Sequence, residues 1–237
     1  MTEWKARRFW TEATVEAVED GFAVRLDGRV VRTPAKREVA MPSRALADGV
    51  AEEWRAQGEE VDPLSMPLTR AVNATLDKVV PQRGAVADEL AGYGGSDLLC
   101  YRAEGPAGLV ERQAASWDPL LDWAADRFGA RLAVTVGVMP RPQPANALEA
   151  LRSHVGGMSA WELTGLSEFV TLSGSLVLGL AALEASGPWD ALWEASRIDE
   201  RWQEEQWGVD AEEALRTAAR RAAFGQAHRY LALLRLR

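Results

Sequence analysis

One cysteine, Cys100, and two histidines, His154 and His228, are all that 237 residues hold of these types. A lone cysteine permits no intramolecular disulfide, which fits a reducing compartment. Cys100 has no sequence-local activator and sits in an apolar run, so it reads as a buried, inert thiol. Neither histidine has a metal-ligand neighbour at helical spacing, so no zinc site is expected. There is no Gly-x-x-x-x-Gly-Lys-Ser/Thr loop and no Gly-x-Gly-x-x-Gly after a strand. Gly92–Gly95 is glycine-rich but lacks a following lysine and a preceding strand, so no nucleotide cofactor is expected. The longest apolar stretch, Phe169–Leu183, spans 15 residues and is interrupted by Thr171, Ser173, Gly174 and Ser175. A membrane-spanning helix needs roughly 20. The stretch reads as buried helix, with no membrane insertion. The opening residues, MTEWKARRFW, lack the apolar run of a secretory signal.

What is present is an ordinary globular composition, 47% hydrophobic and 26% charged, too apolar for disorder. The length allows one large domain or two small ones. The net charge of −8 argues against a nucleic-acid partner, which Lys and Arg would have to neutralise. The charge is unevenly spread. Between Glu184 and Glu213 ten acids face two arginines, whereas Ala214–Arg237 holds six arginines and no acid. Such segments can pack together and neutralise each other. Ten tryptophans is a high count; most belong in a core, but aromatics also anchor protein interfaces.

Residues 13–41 read as a β-meander. Alternating runs at Thr14–Val18, Phe22–Leu26, Val30–Thr33 and Val39–Met41 are separated by Asp20-Gly21 and Asp27-Gly28, pairs that tolerate the positive φ of a tight hairpin turn. Pro34 ends the third run. Ser43 is a good N-cap for a helix with Leu46, Val50 and Trp54 on its apolar side, stopped by Gly58. The segment Asp62–Pro67 looks like a joint, dividing the chain into 1–65, a small antiparallel sheet with a helix, and 66–237, which is all helical.

In the second part, Leu68–Val80 and Gln82–Tyr93 are helical, and Ser96–Arg102 is either extended or a last helical turn. Pro106–Gly129 carries Trp117, Leu120, Leu121, Ala124 and Phe128 on one side. Pro119 predicts a kink there, or a fresh start capped by Asp118. Ala133–Pro144 is a proline-rich crossing loop. Ser159 and Glu162 form a capping-box pattern. Gly174 can divide the following region into two helices, the second ending near Gly187-Pro188. Trp189–Trp207 and Ala211–Leu234 complete the set. The fold class is α+β.

The stretch Leu192–Gly208, LWEASRIDERWQEEQWG, is aromatic and acidic at once. Read as one helix, it buries Leu192, Ala195, Ile198 and Trp202 and turns Ser196, Glu200, Gln203 and Trp207 to a polar face. That second face is built like a contact surface, though charge on a helix is often just a solvated face. Carboxylates gather at Asp97, Asp118 and Asp122 and again at Glu200, Glu204 and Glu205. Acid/base catalysis would need two of them in a water-excluding cleft with separated pKa values. The sequence gives no sign of that, so no catalytic residue is assigned.

Several blocks in fixed order carry a resemblance: RFW near the start, LDGRVVRTPAK, EEWRAQGEEVDPLSMPLTR, SDLLCYR, WDPLLDW and ERWQEEQWG. Together they resemble the family called ATP synthase mitochondrial F(1) complex assembly factor 2 in eukaryotes, with shorter bacterial relatives, over nearly the whole chain. The resemblance implies an N-terminal α/β domain followed by an orthogonal helical bundle. It also implies a non-enzymatic chaperone that binds the free α subunit of ATP synthase until a β subunit replaces it. A bacterial, cytoplasmic and monomeric protein is expected.

In the family the functional determinant lies on an acidic residue of the helical domain, before a Trp-Gly pair. The matching positions here are Arg197, Ile198, Asp199, Glu200, Arg201, Trp202 and Gln203, then Trp207-Gly208. Arg201 inverts a charge of the family pattern, and the acidic–His–Asp run that follows the glycine elsewhere is Val209-Asp210-Ala211-Glu212 here. The expected α-subunit contacts are Glu200, Gln203 and Trp207; alternatively Glu200 caps or pairs internally with an arginine of the C-terminal helix. The competing function is a small-molecule enzyme using carboxylates such as Asp97 or Glu200 in a cleft between the two domains.

Overall fold

The structure, a computed structural model, describes residues 7–236. Residues 1–6, part of the stretch read for a secretory signal, and Arg237 lie outside it. The chain folds into two compact units: Met1–Gln82 with Arg229–Arg237, and Arg83–His228.

The first unit is built on the meander. Strands β1 (Ala13–Val18) and β2 (Gly21–Leu26) pair antiparallel, from Ala13 opposite Leu26 to Val18 opposite Gly21. The other edge of β2 is shared by β3 (Arg29–Val30), which pairs with Arg25 and Leu26, and β4 (Ala40–Met41), which pairs with Phe22 and Ala23. Between β2 and β3, Asp27 (φ 47°) and Gly28 (φ 79°) both take left-handed backbone, as a primed two-residue turn demands. Asp27 is held there by the amides of Glu12 and Thr11, which donate to its carboxylate and lower its pKa.

Helix α1 (Arg44–Arg55) starts at Ser43, whose hydroxyl accepts from the Leu46 amide, and buries Leu46, Ala47, Val50 and Ala51. It ends at Ala56 rather than at Gly58. Asp62–Pro67, read as a joint, forms a 3-10 turn tied down by the buried Gln57. Gln57 Oε1 accepts from the Asp62 amide at 2.7 Å, and its Nε2 donates to Ser65 at 3.0 Å. Helix α2 (Pro67–Ala74) follows, and the buried Glu53 caps it by accepting from the amides of Leu68 and Thr69 at 2.7 and 2.8 Å. A π-helical turn, Thr75–Val79, and a 3-10 turn, Val80–Gln82, follow, and Asp77 of the first accepts from Thr33 Oγ1 at 2.7 Å.

The second unit is mostly helical. It comprises α3 (Arg83–Gly92), α4 (Ala107–Phe128), α5 (Ala145–Gly156), α6 (Ala160–Ser173), α7 (Leu176–Leu183), α8 (Trp189–Ala195), α9 (Ile198–Trp207) and most of α10 (Ala211–Arg235). The last turns of α10 complete the first unit: there Ser43 Oγ lies 2.7 Å from the carbonyls of Leu233 and Leu236. This helical unit also holds a short parallel pair, β5 (Tyr101–Arg102) and β6 (Thr135–Val136). The segment Ser96–Arg102 is thus a helical turn that becomes a strand, and the proline-rich loop carries its partner.

Ser159 and Glu162 form the capping box of α6. Gly174, at φ 73°, ends α6, and Ser175 caps α7. Every residue of α7 is buried. At the closest approach of α6 and α7, a Cβ on Gly179 would lie 2.7 Å from Val170 Cγ2.

Helix α4 runs through Pro119 unbroken. Asp118 is therefore not a cap; its carboxylate pairs at 2.7 Å with the buried Arg102, which also lies over Trp117. Trp117 in turn donates to the Ala195 carbonyl at 2.7 Å, fixing α8 against α4. Around α10, Phe169, Trp193 and Trp189 gather on Phe224 with centroids at 4.6, 5.7 and 6.4 Å.

Candidate functional site

The stretch expected as one helix from Leu192 to Gly208 is two. Helix α8 ends at Ala195 and α9 begins at Ile198. At the break, Ser196 Oγ donates to the Trp193 carbonyl at 2.7 Å, competing with the helical amide for that acceptor. Arg197 then takes φ −116° and ψ 14°, outside helical values, and a new ladder starts with the Arg201 amide on the Arg197 carbonyl.

Leu192 and Ala195 are buried, as the spacing predicts, but no residue of α9 is fully buried, and Ile198 and Trp202 are half-buried. What holds α9 is polar. Gln113 of α4, itself buried, donates to Asp199 at 2.6 Å. Arg112 of α4 grips Glu205 with 2.7 and 2.8 Å hydrogen bonds and stacks over the Trp202 ring at 4.8 Å. Gly108 lets the Trp202 ring come close, since a Cβ there would lie 3.0 Å from it. The Arg112 hydrogen bond lowers the Glu205 pKa, and the Glu205 bond raises that of Arg112.

Arg197 is 3% exposed, and its guanidinium donates to Glu200 at 3.3 Å and to Glu204 at 3.4 Å while lying 6.0 Å from the Trp193 ring centre. Glu200 is thus paired internally, though with the arginine three residues before it rather than with the C-terminal helix. Sequence spacing shows Arg197 and Glu200 within reach of each other, yet not that the arginine is buried. The acidic and basic segments do not neutralise each other as whole blocks either. Glu184 pairs with Arg127, Glu194 with Arg201 and Glu205 with Arg112, while Glu212 and Glu213 meet Arg216 of their own helix. Of the C-terminal arginines, Arg220 donates to the Leu172 carbonyl, Arg221 lies over Trp189, and Arg229 reaches Glu52.

The three expected contact residues stay together. Glu200, Gln203 and Trp207 recur at helical spacing along α9, with Glu200 partly exposed, Gln203 exposed and Trp207 80% exposed. Beyond them Gly208 (φ 88°, ψ 169°) turns the chain, Val209 is 64% exposed, and Asp210 accepts from the Glu213 amide to start α10. Leu215, one turn on, is 74% exposed. The composition of the stretch foretells an exposed aromatic but not this apolar continuation. A second exposed group, Val136, Val138 and Met139, lies on and after β6, in the loop read only as a crossing.

Asp97 is fully buried, and burial pushes its pKa up. Its oxygens accept from Ser175 Oγ at 2.7 Å and from the amides of Leu99 and Val177 at 3.0 Å, which makes it a cap for α7. The Cys100 thiol is 1% exposed, and burial first, then the Asp97 charge, pushes it up to about 12. An open hollow of about 370 Å³ is lined by Ser153, His154, Met158, Glu162 and Leu183. Burial lowers the His154 pKa, and its ring rests against Phe128. Among the described residues no cluster of three or more His, Cys, Asp or Glu side chains could hold a metal ion, and no helix is long and apolar enough to cross a membrane.

Against known proteins, residues 7–125 match the family described as ATP12 chaperone protein. The chain is similar to Atp12 from Paracoccus denitrificans, whose crystal structure is 47% identical, covers 98% of this chain and 100% of that one, and superposes with a TM-score of 0.95. The Atu1473 protein of Agrobacterium tumefaciens is 41% identical, with 97% and 86% covered and a TM-score of 0.92. The mitochondrial protein atp12 of Schizosaccharomyces pombe is 22% identical over 214 residues, 85% of this chain and 74% of that one.

Proposed function

Because the chain belongs to the ATP12 chaperone family, we propose that it is an assembly chaperone of the F(1) sector of ATP synthase that holds the free α subunit until a β subunit takes its place. It works as a soluble monomer in the bacterial cytoplasm and catalyses no reaction. An unassembled subunit exposes apolar surface that aggregates. A protein that covers this surface must bind it and still be displaced. An aromatic anchor inside a charged rim suits that task, since rim charge guides encounter while adding modest affinity.

The observation that carries this reading is the solvent face of α9, where Trp207 stands 80% exposed beside Gln203 and Glu200 on a helix that has no buried residue. Glu200 would offer its outward side to a basic group on the client while Arg197 holds it from within. Enzyme chemistry would need Asp97 or Glu200 free to titrate against a substrate, and both are engaged in internal contacts. That favours the chaperone over a small-molecule enzyme.

The test is suppression of aggregation of separately purified α subunit, followed by light scattering, with Glu200→Lys and Trp207→Ala proteins. Glu204 remains to pair with Arg197, so the Lys protein should keep its fold and lose suppression. Full suppression by both folded variants would remove this face from the interface, and failure of the unmodified protein to suppress would remove the function.

A further inference from the structure

Past Trp207, the apolar surface turns a corner. Trp207 closes α9, Val209 precedes the α10 cap and Leu215 lies one turn into α10, all three large and well exposed within nine residues of chain. No packing demand accounts for them, since none contributes to the core of the unit. Gly208 sets the corner, at a φ of 88° that an L side chain rarely adopts. Asp210 pins the far side by capping α10.

The border of this elbow is acidic. From Glu204 to Arg216 there are five carboxylates and one arginine. Arg197 answers Glu204, Arg112 answers Glu205 from α4, and Arg216 is shared between Glu212 and Glu213. Negative charge remains in excess around an apolar centre.

We propose that the elbow Trp207–Leu215 is a docking knob for a protein surface that is apolar at its centre and bordered by Lys and Arg, carried by the client subunit. The proposal rests on the chaperone reading and extends it beyond α9. The charge selects among occupants. A second copy of this chain, at net −8 and with the same acidic border, would set like charges against each other. A nucleic acid or an anionic membrane surface would be repelled by the same border. A basic-bordered apolar surface matches both features, and opposite charge across the rim speeds encounter and makes it salt-sensitive.

The experiment measures association and dissociation of the full chain with purified ATP synthase α subunit, immobilised, at low and high salt. Val209→Ser combined with Leu215→Ser leaves the Glu200–Trp207 face intact and removes only the continuation. This protein should bind about tenfold more weakly, mainly through faster dissociation. Glu212→Lys should slow association several-fold at low salt, with the difference shrinking at high salt. Unchanged circular dichroism and unfolding midpoint confirm that each variant is folded. Binding by the double Ser protein within about twofold of the unmodified chain, while Trp207→Ala binds poorly, overturns the elbow and leaves the chaperone reading standing. Absence of α-subunit binding by the unmodified chain overturns both.

Discussion

Helices α7 and α9 belong to the same unit and are made in opposite ways. Helix α7, eight residues long, is buried from end to end and takes its first turn from a buried carboxylate, Asp97. Helix α9, ten residues long, buries nothing completely and is held by Gln113, Arg112 and Arg197. Burial of apolar area is strong and is not weakened by charge screening, whereas exposed ion pairs are weak and screened. The helix sealed in the core is made of leucine, alanine and valine around one glycine. The helix that stands in solvent is tethered by groups that can let go.

The difference can be broken most forcefully at Asp97. Asp97→Ala strands three donors, from Ser175, Leu99 and Val177, in a dry interior, and should cost about 3–5 kcal/mol in urea unfolding. Gly179→Val should follow, at about 1–3 kcal/mol, because its side chain would meet Val170 and Leu166. Adding Val170→Ala should recover part of that loss, and no recovery would place the strain elsewhere.

At the α8–α9 junction, Arg197→Gln should cost about 1–2 kcal/mol, since the two carboxylates it releases stand partly in water. Arg112 and Glu205 test the tether itself. The Glu205 pKa lies below the ordinary glutamate value, so its contribution is full above that range and lost as pH falls through the lowered folded value. Amide exchange in α9 should speed up as pH falls through the acid range, after correction for intrinsic rates, and Arg112→Gln should shrink the change without removing the part owed to Asp199, Glu200 and Glu204. The smallest effect on stability belongs to Trp207→Ala, within about 0.5 kcal/mol, because the ring is almost wholly in solvent.

Local signals carried much of this fold. The Asp27-Gly28 turn, the Ser43 cap, the Ser159–Glu162 box and the Gly174 stop were legible because each depends on backbone geometry that few residues supply. Where tertiary partners decided, the residues misled. Apolar spacing runs without interruption through Ser196 and Arg197, with no glycine or proline to mark the break. Pro119 suggested an interruption that α4 does not make. Asp118 looked like a cap because Arg102, its partner, lies sixteen residues away. The β5–β6 pair is two residues deep and joins segments far apart in the chain, so no periodicity announces it.

In the candidate site, Glu200, Gln203 and Trp207 were found together because helical spacing alone places them on one face. The buried arginine behind Glu200 was not, since burial is a property of the surroundings. Nor was the continuation to Val209 and Leu215, where the chain changes direction.

Cys100 has a practical consequence. Its thiol is sealed and stays protonated far above neutral pH, so it should ignore maleimide reagents while the protein is folded. A cysteine introduced at the exposed Gln203 would then be the single reactive handle on the native molecule. A dye placed there could follow the loading and unloading of a client in real time, with no native residue to remove first.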